Sequence, residues 1–472
     1  MFKKLLSLAF MLCVTLTALA ESKAKYVFYF IGDGMGVNQV LGTETYLAAL
    51  EGRIGVTHLC FTSFPYVGLV STQSATNGVT DSAASGTALA CGHKTKNKAI
   101  GVLKDTKTPI NSIAVWAQQA GAAVGISTSV SIDHATPACF YAHQPERNMY
   151  YEIGCDMAHS DFDFFAGSDF LTPKNKKNPK DKDLFTLCQE QGYTFVRGYD
   201  NYLKDGGATD KLILFQPEKA SKRNHKSIPY AIDRTADDLT LAQITKAGID
   251  YLSKKQKDGF FFMIEGGKID FACHSNDAGT AFREVLDLDS AVQVAYQFYQ
   301  QHPDETLIVI TADHETGGIS LGRGPYELHT DLLRHQKMSA EVYSRRIKEM
   351  HEKYGHKLTW EQVWNDLSTN WGFGKGVTID KKQKARLKEA YEKMMTKSGK
   401  DKTYLYDRVN VLADAAREVM AQCALIGWQS THHSNGHVPV WAIGHGAENF
   451  HGRMENSDIP VVIARIAGWP QK

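Results

Sequence analysis

The sequence lacks several features that would indicate a specialised class of protein. No two cysteines have CxxC spacing, which argues against a structural zinc–thiolate site. Basic and acidic residues are nearly balanced, at 53 and 52, so charge gives no reason to expect a nucleic-acid partner. Internal repeats and low-complexity tracts are missing as well. An ordinary globular protein remains, and 43% apolar residues among 472 are enough for a large buried core.

The N-terminal segment has the pattern of a cleaved secretory signal peptide. Lys3 and Lys4 precede an apolar run that ends at Leu19 and is short for a membrane span, and small residues close it at Ala20. An uncleaved anchor is the alternative. Loss of the two lysines changes 53 basic residues to 51 against 52 acidic ones, a net charge of −1. We therefore expect a signal peptide over 1–20, a mature chain over 21–472, a periplasmic or secreted location and no stable membrane anchor.

Cysteine usage argues against a protein held together by disulfides. Cleavage would leave seven of the eight cysteines, and an odd number leaves at least one thiol free in a monomer. One or two disulfide bridges are still compatible with this count, and Cys155–Cys188 is the pair that we consider.

Apolar, β-rich segments that end in polar loops alternate with helical patterns. The strand-like segments are residues 26–31, 122–126, 260–264 and 307–310, and the helical ones are 111–119, 235–253 and 276–301. This alternation predicts an α/β protein, a three-layer α/β/α sandwich with a mostly parallel central sheet. Residues 174–182 are charged and read as a solvated loop. Residues from about 323 to 429 are charged and helix-rich, and we expect a helical subdomain inserted into a single catalytic domain.

Residues 78–88 have the composition of a loop that turns abruptly into a helix. Asp81 is a good N-cap and alanines follow it, so Ser82 should lie in the first helical turn, where free N–H groups attract an anion. Small neighbours leave room for a tetrahedral group, which makes Ser82 a candidate nucleophile. An ordinary capped helix is the alternative. No Gly-x-Ser-x-Gly elbow surrounds Ser82, which argues against a Ser-His-Asp hydrolase.

Carboxylates and histidines follow the ends of the predicted strands. They are Asp33, Glu265, Asp270, His274, Asp313 and His314, and residues 431–440 add His432, His433 and His437. Ligands of open α/β sheets bind at the carboxyl edge of the strands. Asp270 and His274 are four residues apart, so on a helix they share one face and can bind one metal ion. Carboxylate and imidazole ligands suit zinc, whereas acidic and hydroxyl ligands suit magnesium. Each residue alone could equally cap a turn. Arg147 could clamp a phosphate, although a solitary arginine is more often a surface residue.

Taken in order, these segments resemble the motifs of the alkaline phosphatase family. The matching segments are residues 31–36, 81–88, 135–137 with Arg147, 265–274, 311–316 and 433–440. The resemblance extends from about residue 26 to 440, apart from the inserted helices. It implies two Zn²⁺ and one Mg²⁺. Asp270, His274 and His433 would bind one zinc. Asp33, Asp313 and His314 would bind the second zinc, which would also contact Ser82. Asp33, Thr136 and Glu265 would bind the magnesium.

The resemblance also implies an activity, the hydrolysis of small phosphate monoesters to inorganic phosphate and an alcohol. Ser82 would form a phosphoserine intermediate and Arg147 would bind the phosphoryl oxygens. His134 stands where the well-known bacterial pattern has an aspartate, and we expect it to lie behind the magnesium ligands and to weaken magnesium binding. The alternatives are a phosphodiesterase of the same superfamily or a non-catalytic secreted protein that binds metal or phosphate. The resemblance leaves room for a homodimer.

Overall fold

A ten-stranded sheet forms the centre of the protein. The computed structural model describes residues 23–223, 227–255, 257–396 and 400–471, so the predicted signal peptide lies outside the described residues. The strands are β1 (Tyr26–Gly32), β2 (Tyr66–Ser71), β3 (Ala123–Thr128), β4 (Phe164–Gly167), β5 (Tyr193–Arg197), β6 (Lys211–Phe215), β7 (Phe260–Gly266), β8 (Thr306–Thr311), β9 (Glu315–Thr316), β10 (Ile319–Leu321), β11 (Lys402–Thr403), β12 (Arg408–Val409), β13 (Ile426–Trp428), β14 (His433–Ser434), β15 (Val438–Gly444) and β16 (Gly452–Glu455).

The order of the strands confirms the predicted mostly parallel sheet. They run β16-β2-β15-β8-β1-β7-β3-β4-β6-β5, and within this sheet only β15 is antiparallel to its neighbours. Strands β1, β7 and β8 are buried along almost their whole length, as continuous apolar runs require. Phe260 packs against Phe298 on one face, whereas Phe261 packs against Phe140 and Trp469 on the other. Alternating side chains therefore bury both faces of β7.

Helices cover the two faces and give the predicted α/β/α architecture. They are α1 (Val37–Leu50), α2 (Ser82–Cys91), α3 (Ile113–Gln119), α4 (Ala135–Ala138), α5 (Tyr150–His159), α6 (Leu184–Glu190), α7 (Tyr199–Asp205), α8 (Glu218–Arg223), α9 (Leu241–Leu252), α10 (Lys268–His274), α11 (Ala278–Gln301), α12 (Ala340–Tyr354), α13 (Trp360–Asn370), α14 (Lys381–Met395), α15 (Val411–Cys423) and α16 (Asp458–Ala467). Short 3₁₀ turns lie at Phe61–Ser63, Gly206–Ala208, Ala231–Asp233, Thr330–His335, Gly355–Lys357 and Ala447–Asn449. Among the described residues, no helix is both long and apolar enough to cross a membrane.

The charged region after β10 forms a second apolar core. Helices α12 to α15 enclose it, with Trp371 and Tyr343 fully buried inside. The same cluster includes Tyr46 of α1 and Phe282 of α11, so these helices are built onto the body of the protein. That residues 323–429 are an insertion into one domain stays a prediction.

The described cysteines are free thiols, and the Cys155–Cys188 pairing that we considered is not formed. Burial raises the pKa of the Cys188 thiol to about 12. Because the thiolate is the form that oxidises, a buried and protonated thiol resists forming a disulfide.

Candidate active site

Three parallel strands carry acidic side chains to one edge of the sheet. Ile31 of β1 pairs with Glu265 of β7 and with Thr311 of β8, so Asp33 and Asp313, each two residues further on, meet beside Glu265. The side chains of all three acidic residues are fully buried. The sequence predicted this convergence from the strand ends alone.

The turn after β1 depends on a glycine. Gly34 has a φ of +73°, and its N–H donates to Asp313 Oδ1 over 3.1 Å. A Cβ at Gly34 would lie 2.9 Å from the Asp270 Cα and from the Thr316 Oγ1. A side chain is therefore excluded here by backbone conformation and by space, and the turn packs directly on α10.

Ser82 begins α2 as predicted. Asp81 caps the helix by accepting a hydrogen bond from the Ala84 N–H over 3.1 Å. Ser82 is fully buried, and its Oγ lies 3.2 Å from His314 Nε2. The hydroxyl therefore faces the acidic cluster from the positive end of a helix.

Three histidines turn the same ring nitrogen toward the cluster. The Nδ1–H of His274 donates to the Thr431 carbonyl over 2.6 Å, and that of His433 donates to the Thr80 carbonyl over 2.8 Å. His314 Nδ1 lies 3.2 Å from Thr316 Oγ1, which itself donates to Asp270 Oδ1 over 2.5 Å. With a proton fixed on Nδ1, the neutral ring presents a lone pair on Nε2, the tautomer that a metal ligand needs.

These Nε2 atoms face one another and carboxylate oxygens. His274 Nε2 lies 3.1 Å from His433 Nε2 and 3.2 Å from Asp270 Oδ2. His314 Nε2 lies 3.1 Å from Asp313 Oδ2 and 3.5 Å from Asp33 Oδ1. Lone pairs brought this close repel unless a proton or a cation lies between them. The structure thus brings together each of the two ligand sets that the resemblance implies for zinc.

The third predicted set also contains Asp33. Thr136 Oγ1 lies 3.4 Å from Asp33 Oδ2, and donor atoms of Asp33, His134 and Glu265 lie within 4.8 Å of one another. His134 therefore lies close to Asp33 and Glu265, and its predicted place behind the magnesium ligands stays a prediction. Burial, with Arg147 adding to it, lowers the pKa of His134 to about 3, so the imidazole is neutral.

Five buried oxygen and nitrogen atoms around these sets, each able to bind a metal ion, make no hydrogen bond with any described residue. They are Asp33 Oδ1, His134 Nδ1, Glu265 Oε1, Asp270 Oδ2 and Asp313 Oδ2. Burial and neighbouring carboxylates raise the pKa values of Asp33 and Asp313 well above their usual range, and burial raises that of Glu265 to about 7. Buried polar atoms are rarely left unpaired, so this donor set fits bound cations.

Arg147 lies beside α2, the helix that begins at Ser82. Its Nη1 forms an ion pair with Asp81 Oδ2 at 3.2 Å, and its Nη2 lies 3.5 Å from His134 Nε2 and 3.4 Å from the Tyr406 hydroxyl. Nearby acidic groups and Tyr406 outweigh burial and raise the pKa of Arg147, so the guanidinium stays charged. The structure thus brings Arg147 to the site. His432 and His437, by contrast, are exposed.

Two residues of the site were not assigned a role from the sequence. Thr316 lies inside the motif at residues 311–316, where its distance from His314 was visible but its link to Asp270 was not. Tyr406 lies in the charged region after β10 and carries no local signal, because only tertiary packing brings it to Arg147.

Three features define the class of this protein. They are a mostly parallel α/β sheet, a buried serine, and a cluster of acidic residues and histidines at the carboxyl ends of the strands. The family model described as alkaline phosphatase matches residues 24–469. The chain therefore belongs to the alkaline phosphatase family, and the enzyme is a phosphate monoester hydrolase.

Individual relatives support the assignment over nearly the whole chain. Alkaline phosphatase 4 of Bacillus subtilis is 30% identical over 94% of this chain and 89% of its own length. A cold-active alkaline phosphatase structure from Shewanella sp. is 28% identical, with a TM-score of 0.76, covering 94% of this chain and 99% of that one. A variant of the alkaline phosphatase of bacterium TAB5, in which a histidine is replaced by aspartate, has Mg bound in its M3 site; it is 25% identical, with a TM-score of 0.62, over 95% of this chain and 99% of that one.

Proposed function

We propose that this enzyme hydrolyses small phosphate monoesters through a covalent phosphoserine at Ser82. The observation that carries the proposal is the buried Ser82 Oγ at the start of α2, 3.2 Å from His314 Nε2. After losing its proton to solvent, this oxygen forms a bond to phosphorus while the bond to the ester oxygen breaks, and the departing alcohol takes up a proton. Water then adds to phosphorus, the bond to Ser82 breaks, and inorganic phosphate leaves.

The donor set supports two zinc ions and one magnesium ion. Asp270, His274 and His433 would hold one zinc, and Asp33, Asp313 and His314 the other. Asp33, Thr136 and Glu265 would hold the magnesium. Bound zinc would lower the pKa of the serine hydroxyl and stabilise the leaving oxygen.

Arg147 would bind the phosphoryl oxygens, with Asp81 fixing one edge of its guanidinium. The magnesium in the TAB5 histidine variant supports a magnesium site near a histidine, and His134 is the histidine beside Asp33 and Glu265 here. We also propose cleavage after residue 20 and export to the periplasm or beyond; a homodimer is a further proposal that gel filtration with light scattering would test.

The test compares the wild-type enzyme with Ser82→Ala, both loaded with zinc and magnesium. We expect the wild type to release p-nitrophenol from its phosphate ester and to carry one phosphoryl group on Ser82 after an acid quench, as mass spectrometry of peptides would detect. Ser82→Ala should lose nearly all turnover and the phosphopeptide while keeping its zinc content.

The control is Ser339→Ala, which removes a buried serine from the N-cap of α12 and should leave turnover unchanged. A phosphoryl group on a different residue, or full turnover by Ser82→Ala, would contradict the proposed nucleophile. Faster hydrolysis of the bis(p-nitrophenyl) diester than of the monoester would favour the phosphodiesterase alternative.

A further inference from the structure

A short hairpin from the second core reaches over the candidate active site. Strands β11 and β12 pair antiparallel, with Lys402 opposite Val409, and the turn between them contains Tyr406. Tyr406 is half-buried, although its neighbours Leu405 and Arg408 are exposed. The Tyr406 side chain points toward the site, where it contacts Arg147 and His134.

The Tyr406 ring is fixed by aromatic contacts. It stacks on Phe271 with ring centroids 3.7 Å apart and an interplanar angle of 13°. Its edge or face also meets His134 at 5.6 Å and His274 at 5.5 Å. The ring also borders a cavity of about 390 Å³, so these contacts, and not packing on every side, determine its position.

The hairpin is anchored on both sides of Tyr406. The Tyr404 hydroxyl donates to Asp414 Oδ1 over 2.5 Å and accepts from Arg417 over 2.9 Å. Asp407 accepts from Ser275 Oγ over 2.5 Å and from the Tyr230 hydroxyl over 3.1 Å. Because Ser275 directly follows α10, the hairpin is tied to the helix that carries Asp270 and His274.

Side-chain oxygens of Asp81 and Tyr406 contact the two terminal nitrogens of the Arg147 guanidinium. Asp81 accepts from Nη1 at 3.2 Å, and the phenol oxygen accepts from Nη2 at 3.4 Å. The backbone N–H of Arg147 donates to the Lys98 carbonyl over 2.8 Å. The guanidinium is therefore held at both terminal nitrogens before any oxyanion binds. Less conformational entropy is then lost when Arg147 binds an oxyanion.

We infer that Tyr406 is a positioning residue for Arg147, which the hairpin of the second core supplies to orient the guanidinium for the phosphoryl group. The inference rests on the proposed role of Arg147. Tyr406 would act through Arg147 and would not touch the reacting atoms, so its loss should weaken the binding of phosphate more than it slows turnover.

The test removes the hydroxyl alone, in Tyr406→Phe, and keeps the stack on Phe271. We expect the inhibition constant of inorganic phosphate and the KM for p-nitrophenyl phosphate to rise roughly threefold to tenfold, with kcat within about twofold. The control Tyr391→Phe removes a hydroxyl of the second core that donates to the Leu358 carbonyl and lies outside the hairpin, so it should leave the inhibition constant unchanged. Melting temperatures check that all variants fold.

The same substitution in an Arg147→Ala background completes a double-mutant cycle. If Tyr406 acts through Arg147, Tyr406→Phe should change phosphate binding by less than about twofold in that background. An unchanged inhibition constant in Tyr406→Phe alone, or an equal loss in both backgrounds, would overturn the inference. Arg147→Ala with unaltered phosphate affinity would instead overturn the proposed role of Arg147.

Discussion

At the scale of single residues, His134 lies beside the carboxylates of Asp33 and Glu265 but contributes no charge itself. Its pKa of about 3, set by burial and by Arg147, keeps the ring neutral at neutral and alkaline pH. The neighbouring carboxylates of Asp33 and Glu265 must then supply the charge that attracts a divalent cation. A neutral imidazole at this point should make the proposed magnesium site weak.

We predict that the wild-type enzyme, dialysed against zinc alone, is activated severalfold by millimolar magnesium. His134→Asp adds a negative charge to the set and should lower the half-activating magnesium concentration by about one to two orders of magnitude. Activity titrations, with metal analysis after dialysis, measure both effects.

His134→Asn is the matched control, because it has the size of aspartate without the charge and should not tighten magnesium binding. A zinc-only wild type that is already fully active and holds no magnesium would contradict the prediction. So would equal behaviour of the Asp and Asn variants.

At the scale of elements, the turn between β1 and α1 packs against the segments that carry the proposed metal ligands Asp270 and Asp313. Gly34→Ala would place a methyl group 2.9 Å from the backbone of Asp270 and force alanine into a left-handed conformation with φ near +73°. We predict a loss of zinc from the purified variant, in addition to about 1–2 kcal/mol lost from the free energy of unfolding through strain alone.

Gly52→Ala separates the two effects. Gly52 has a φ of +70°, but a Cβ there meets nothing within 4 Å. This variant should show the strain in its melting temperature and keep its zinc content. Equal zinc content in Gly34→Ala and Gly52→Ala, measured by elemental analysis, would show that the turn does not position the ligands.

The sequence predicted the elements that carry the site but not all their boundaries. Continuous apolar runs located β1, β7 and β8, and Asp81 located the start of α2. The helix predicted from residue 235 begins at Leu241, because Thr240 and Gln243 form a capping box there. The one predicted from residue 276 begins at Ala278, since Asp277 caps it and Asn276 has a φ of +51°.

Contacts made by distant segments could not be predicted from local pattern. Thr316 joins His314 to Asp270, and Tyr406 stacks on Phe271, only because the sheet and the second core bring these segments together. Residue type and spacing identified the atoms with ligand chemistry, whereas the groups that orient those atoms depend on tertiary packing.

At the scale of the whole molecule, the site joins the two apolar cores. The central sheet supplies Asp33, Glu265 and Asp313, while the second core supplies Tyr406 through its hairpin. Several carboxylates are thereby held together with little access to water. Such an arrangement lowers the stability of the protein unless cations neutralise it.

The stability that the protein loses by burying these carboxylates together depends on pH. Without cations, burial and mutual repulsion raise the pKa values of Asp33 and Asp313 well above their ordinary values, and burial raises that of Glu265 to about 7. A carboxyl whose pKa is higher in the folded than in the unfolded state costs stability above its unfolded pKa. Burial lowers the pKa values of His134, His314 and His433, and this costs stability at acidic pH instead. The contribution of the three carboxyls to the stability of the chelated protein should therefore become more unfavourable as pH rises from about 4 through 7.

Cation binding should follow the opposite trend, because the ligands must lose their protons to bind. We predict that the melting temperature of the enzyme loaded with zinc and magnesium exceeds that of the EDTA-treated enzyme by a larger margin at about pH 8 than at about pH 5.5. Asp33→Asn removes the carboxylate that belongs to two of the three sets, so it should reduce this margin at the higher pH. Equal margins at both pH values, measured by differential scanning calorimetry, would mean that these carboxylates do not bind the cations that stabilise the fold.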